Sequence, residues 1–145
     1  MAITWEELRG QVIDLGFEED EVVAEDYPRV LRNSVNRAID IVMNIVVPQI
    51  EGYYKVTKDW GYEDATTGEW VLPKAKHITE ETLDTDRINL PDNLMPLVPL
   101  IAAHYLWLDD DITKAVTYWN EFDLIKDQII SVCRQPRKAT IEGGW

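Results

Sequence analysis

The amino-acid sequence predicts a mainly α-helical fold: a bundle of about four helices carrying a small β-hairpin or antiparallel insert at about residues 49–92. Three observations predict it. Two long stretches, at about 26–47 and 112–133, repeat apolar residues at alternating spacings of four and three, the seam of an amphipathic helix. Residues 100–108 are nearly all apolar, which for a helix means burial on most sides. The segment before them is rich in aromatic and β-branched residues around a Thr-Thr-Gly turn, a strand–turn–strand signature.

The first helix opens at Thr4-Trp5-Glu6-Glu7. This is a capping-box pattern, in which the Thr4 hydroxyl meets the backbone N–H of Glu7 and the Glu7 side chain reaches back. Leu8, Val12 and Leu15 share one face, and Gly16 supplies the stop. In the second helix Pro28 occupies the first turn, where a missing N–H costs nothing. Leu31, Val35, Ala38, Val42 and Ile45 form its seam, and Pro48 is expected to end it. About twenty residues give a rod of roughly 30 Å.

In the insert, Tyr53, Tyr54, Val56, Trp60, Tyr62, Trp70 and Val71 favour extended chain, with the turn at Thr66-Thr67-Gly68. Ile78 and the Ile88-Asn89-Leu90 run are expected to add short strands. Pro91, Pro96 and Pro99 precede or open the third helix. Regular helix is therefore expected from near Met95, with a kink or loose turn at Pro99. Asp109, Asp110 and Asp111 make a tight junction, and Asp111 is a good N-cap for the fourth helix. Tyr118, Phe122, Ile125, Ile129 and Val132 form that helix's seam. Leu31, Val35, Val42, Phe122, Ile125 and Ile129 are expected to meet in one core.

Length and composition bound the rest. At 145 residues the chain is expected to be one domain, 1–145, with residues 134–145 as a C-terminal extension. An apolar content of 46% excludes a disordered chain. No apolar run approaches the ~20 residues of a membrane span, so no membrane partner is expected. The start, MAITWEELRG, does not read as a signal peptide. Cys133 alone provides no internal disulfide and suits a reducing cytoplasm. A net charge of −13 argues against gripping nucleic acid, which needs clustered Lys and Arg, yet allows DNA to pass without being held. Residues 17–26 (FEEDEVVAED) hold six acids and no base, whereas residues 134–145 hold Arg134, Arg137 and Lys138 against Glu142. A basic tail on an acidic body points to an acidic contact surface, such as a second copy of the chain; a solvated tail is the alternative.

Catalytic chemistry is not evident. His77 and His104 are far apart and lack partners at metal spacing, and no zinc-like pattern includes Cys133. His104, inside the apolar third helix, reads as a hydrogen-bonded core or interface histidine. An EF-hand starting at Asp109 needs Gly where Lys114 stands and Glu where Asn120 stands, so the aspartates read as capping residues. No phosphate loop, nucleophile elbow or HExxH helix is present, and Ser34 and Ser131 fall inside helical periods. No catalytic residue, metal or cofactor is expected, and no enzyme.

Three stretches carry a resemblance: the opening TWEELRGQVIDLGFEED, the segment INLPDNLMPLVPLIAAHYLWLDDDITKAVTYWNEFDLIKDQI, and the closing KATIEGGW. Together they resemble the head–tail connector proteins, also called adaptor or head-completion proteins, of long-tailed bacteriophages. The resemblance implies a phage structural protein whose copies form a ring, usually twelve-fold, between the portal and the tail or stopper protein. Duplex DNA passes through such a ring without specific binding, and its place is the head–tail neck of the virion, after assembly in the host cytoplasm. It also implies a terminal extension that grips the portal, while the insert at 49–92 departs from a plain connector bundle. In this chain the extension offers Arg137, Lys138, Ile141 and Trp145 for contact, with Gly143 and Gly144 allowing close backbone approach. The alternative for Trp145 is a fold back onto its own bundle. The alternative functions are a tail-completion protein of the same virion and a monomeric acidic regulator that mimics DNA.

Overall fold

A computed structural model describes residues 3–18 and 25–134. It is a helical bundle with a small antiparallel hairpin. The elements are α1 (Trp5–Gly16), α2 (Tyr27–Ile41), a π-helical segment (Val42–Val46), α3 (Val47–Ile50), α4 (Tyr54–Trp60), β1 (Tyr62–Glu63), β2 (Trp70–Val71), α5 (Leu97–Trp107) and α6 (Ile112–Arg134). α5 lies at the centre and packs on α1, α2 and α6. Every residue from Leu97 to Ala103 is buried, as the unbroken apolar run predicts. The run ends sooner than expected, because Leu108 is exposed at the turn after α5.

α1 starts as the sequence predicts, with the Glu7 N–H donating to Thr4 Oγ1 at 3.3 Å. The return bond differs: the Thr4 hydroxyl donates to the Glu7 carboxylate at 3.2 Å. The next two orphan donors of the helix are used to hold a loop. Trp5 N–H donates to the Asp86 carbonyl at 2.7 Å and Glu6 N–H to the Asp84 carbonyl at 3.1 Å, so the first turn anchors residues 84–86 instead of facing water. Gly16 ends α1 without a left-handed conformation. Its place reflects close packing: a Cβ there would come within 2.3 Å of Leu106 Cδ1.

The second long helix does not stop at Pro48. α2, the π segment and α3 run on without a break, and Pro48 sits in the first turn of α3. A proline inside an α-helix clashes with the carbonyl one turn back and donates no bond to it. Here the backbone widens just before it, with Val47 N–H donating to Val42 O; such π turns absorb one extra residue. The extra residue shifts the seam. Val42, Val46, Val47 and Ile50 are buried, and Ile45, which the unshifted spacing places inside, is 49% exposed.

Residues 53–60 are a correction of another kind. Tyr54, Val56 and Trp60 lie in or at the end of α4, not in a strand. Val56 and Thr57 are buried and Trp60 packs against the core, a helical rather than alternating pattern, so packing overrides β propensity. The hairpin is real but shorter, pairing Tyr62 with Val71 and Glu63 with Trp70. Its turn falls where expected: the Asp64 carboxylate accepts from Thr66 N–H at 2.8 Å, and Gly68 adopts φ +74°, which suits glycine. Ile78 and the 88–90 run form no strand; the chain from 72 to 90 is irregular, touching the sheet pattern only as a bridge between Thr4 and Arg87. Leu72, Ile78, Ile88 and Leu90 nevertheless reach the core. Regular α5 begins at Leu97, after turns at 92–96, and Pro99 falls in its first turn, where no intrahelical N–H bond is lost.

α6 is capped by Asp111, whose carboxylate accepts from Lys114 N–H at 3.2 Å. Leu31, Val35, Val42 and Phe122 share the expected core; Ile125 and Ile129 pack against its edge. Val132 does not, being 66% exposed, and Ala115 and Ile130 are buried instead. Among the described residues, no buried side-chain nitrogen or oxygen lacks a hydrogen-bond partner. Phe122, at 2% exposure, is the largest fully buried side chain of α6. Phe122→Ala is expected to cost about 3–5 kcal/mol, read as a drop in the urea midpoint at unchanged slope.

Candidate interaction surface

The polar side chains inside the bundle are committed to holding it together. His104 Nδ1 lies 2.7 Å from the Ala115 carbonyl, so that nitrogen carries the proton and ties α5 to α6. Its ring stacks at a tilt on Trp119, which in turn meets Phe122, both at 4.9 Å between centroids. Trp107 Nε1–H donates to the Leu15 carbonyl at 2.7 Å, satisfying one of the open carbonyls at the end of α1. The Arg37 guanidinium lies over the Tyr105 ring at 4.2 Å and joins α2 to α5. His77 bonds Asp40 at 2.6 Å on the surface. Burial pushes the Cys133 thiol up, which disfavours its thiolate. Among the described residues no group of three His, Cys, Asp or Glu side chains is placed to hold a metal ion, and no helix is long and apolar enough to cross a membrane.

What stands out is the outward side of α6. Opposite Ala115, Phe122 and Ile130, the exposed residues Thr113, Thr117, Asn120, Leu124, Gln128 and Ser131 fall within a sector of about 80° at 3.6 residues per turn. None is charged, in a chain where 28% of residues are. Leu124, 58% exposed, is at its centre; exposed Asp127 borders the strip on one side and Glu121 on the other, with Val116 (47%) and Val132 (66%) just beyond them. On the opposite side of α6, Lys126 Nζ meets Asp123 at 2.7 Å and Asp127 at 3.5 Å. The hydrogen bond to Asp123 holds the Lys126 ammonium above its usual range.

A second feature lies in the irregular chain beside α1 and α2. Asn36 on α2 brackets Ile78: its amide donates to the Ile78 carbonyl at 2.9 Å and its carbonyl accepts from the Ile78 N–H at 2.6 Å. With the two bonds from α1, this shapes a groove of about 500 Å³ whose lining includes Lys74, Lys76, Ile78, Arg87 and Ile88. The acids of residues 80–86 serve the same loop. Glu80 pairs with Arg32 at 3.5 Å and Asp84 with Arg9 at 2.8 Å, and Asp86 accepts from Leu83 N–H at 2.8 Å. The bond from Arg9 holds the Asp84 carboxyl below its usual range. Its contribution is therefore present above the ordinary carboxylate range and fades as the pH falls through the lowered value.

The sequence-predicted contact residues Arg137, Lys138, Ile141, Gly143, Gly144 and Trp145 lie outside the described residues, as do positions 19–24 of the acidic segment. The described chain ends at Arg134, the exposed last residue of α6. Neither the α6 strip nor the groove follows from the apolar seams. The absence of charge at 113, 117, 120, 124, 128 and 131 is the signal that marks the strip, and the KAK cluster at 74–76 marks the groove. Compared with models of protein families, with curated proteins and with solved structures, the chain matches none.

Asn36→Ala removes both bonds that seat Ile78. The loss is expected at about 1–3 kcal/mol, since the bracketed backbone groups are left without partners. Amide exchange should quicken around Ile78 well before it does in α5.

Proposed function

We propose that the chain is a structural subunit of a phage neck: a head–tail connector whose copies form a ring, twelve-fold by the resemblance, between the portal and the tail or stopper protein. The observation that carries this is the exposed, uncharged strip along α6, with Leu124 at its centre. Copies that each carry a net charge of −13 repel one another unless they meet where the acids are absent. Solvent-exposed aliphatic residues on such a face gain most from burial against a neighbour. The interior polar groups serve packing, which suits a scaffold, and an acid surplus suits a wall that duplex DNA slides past without adhering. In this reading α6 also delivers the extension at 134–145 away from the bundle towards the portal. A tail-completion role in the same virion rests on the same strip. The DNA-mimic reading is weaker, because Asp26, Glu80, Asp84 and Asp123 are spent on Arg and Lys partners within the fold.

The test is assembly with the cognate portal, imaged by electron microscopy and weighed by native mass spectrometry. Rings, or portal particles with an added ring of density, are expected; a monomer that never joins the portal would refute the connector role. Leu124→Lys should leave the melting temperature within a degree or two, since the residue is exposed. It should weaken assembly about 10- to 100-fold, the equivalent of losing a buried leucine at about 1.5–3 kcal/mol. Removal of residues 141–145 should spare the melt and reduce portal co-sedimentation, and Trp145→Ala should reproduce much of that loss. A truncated protein that melts far below the parent would mean that Trp145 serves its own core.

A further inference from the structure

Among the described residues, six cations have a use within the fold that pairs them with a carboxylate or an aromatic ring. Arg9, Arg29, Arg32 and Lys126 pair with carboxylates, and Arg37 and Lys114 lie over Tyr105 and Trp107. Lys74 and Lys76 have no such partner among the described residues, although acids outnumber bases in the sequence by 27 to 14. Both line the groove beside α1, over a floor that includes the isoleucines Ile78 and Ile88. Two carboxylates share the lining, Glu81 and Asp86, and Asp86 is turned back onto the Leu83 N–H. The groove therefore offers a mainly polar lining over two core isoleucines, with two ammonium groups that have no carboxylate partner among the described residues.

The complementary charge is on the same molecule, at the other end. The turn between α5 and α6 exposes Leu108, Asp109, Asp110 and Ile112 together. Asp109 and Asp110 have no cation partner among the described residues, whereas Asp111 is used as the cap of α6. The groove is tied to the first turn of α1 through Asp84, Asp86 and Ile88. The acidic turn follows Trp107, which is bonded to Leu15 at the last turn of α1. Twelve residues of helix separate the two, a span of about 18 Å. A groove at one end and a matching turn at the other cannot satisfy each other within one molecule.

Resting on the proposed ring, we propose that the α5–α6 turn of one copy seats in the Lys74–Lys76 groove of the next. Asp109 and Asp110 meet the two lysines, and Leu108 and Ile112, exposed beside them, lose solvent contact against the groove's mouth. Such a contact is heterologous: each copy uses a different surface on its two sides, which closes into a ring or runs on as a filament and never ends at a dimer.

Charge reversal tests the contact, with sedimentation velocity over a concentration series as readout and circular dichroism as the check on folding. Lys74→Glu with Lys76→Glu, and separately Asp109→Lys with Asp110→Lys, should each weaken self-association at least about tenfold, an effect that added salt reduces. Mixed one to one, the two reversed proteins should assemble again, because each groove then finds an oppositely charged turn, and native mass should show the two species in equal numbers. The neutral pair Lys74→Gln and Lys76→Gln should weaken assembly less than the reversal, and its mixture with the turn-reversed protein should give pairs through the one restored contact but no extended assembly. Reversed proteins that assemble as the parent does, or a folded mixture that stays dissociated, would overturn this contact while leaving the ring standing. A parent chain that stays monomeric throughout the series and with its portal would overturn both.

Discussion

The burial of α5 on nearly all sides is the constraint that organises the molecule. An isolated helix of eleven residues is marginal in water, and this one has no polar face to keep exposed. It persists because α1, α2 and α6 each remove part of it from solvent. That requirement explains the small residues around it: Ala38, Ala102, Ala103 and Ala115 are fully buried, and Gly16 leaves room for Leu106. It also explains where the polar ties lie. The bonds from His104 and Trp107 leave α5 in its last two turns, where they fasten α6 and α1 without placing a polar group in the middle of the core.

A second consequence falls on the chain between β2 and α5. The start of α5 is reached through some twenty-five residues with almost no regular structure. Loops of that length ordinarily carry little apolar weight. This one contributes Leu72, Ile78, Ile88, Leu90, Leu94 and Met95 to the core, and its backbone is bound by Asn36 and by the first turn of α1. It acts as a fourth wall of the bundle. The groove is the outer side of that wall, which is why its shape depends on residues as distant in sequence as Asn36 and Trp5.

The helices were legible because each has a long seam, and the errors occur where a local event breaks the period. Ile45 was placed inside by a seam that ignores the π turn, and nothing in the spacing of Val42, Ile45 and Pro48 declares that the backbone will widen instead of stopping. Tyr54, Val56 and Trp60 were read as extended from residue type, although Val56 and Trp60 stand one helical turn apart. Val132 continues the arithmetic of the α6 seam, but α5 is about half as long as α6, so the outer end of α6 has less to pack against. The irregular wall was hidden for a different reason. Asn36 and Ile78 lie forty-two positions apart, and side chain to backbone bonds of that range leave no periodic trace.

The surface follows from the same economy. With twenty-seven acids to fourteen bases, the fold uses its arginines first, as short links between α1, α2 and the loop wall or as lids over aromatic rings. Those links are exposed for the most part, so each contributes little alone; their effect is to fix which carboxylates remain free and where. The acidic turn at Asp109 and Asp110 and the two lysines Lys74 and Lys76 end up on opposite ends of α1, and the uncharged strip runs along α6. A subunit with that distribution has a direction. Two copies brought together face to face set acid against acid, whereas the same copies placed head to tail set acid against lysine and bring the uncharged side of α6 alongside. On the proposed contact, the sign of the charge opposes a face-to-face dimer and favours a head-to-tail repeat, in which the rotation between neighbours would set how many copies close a ring.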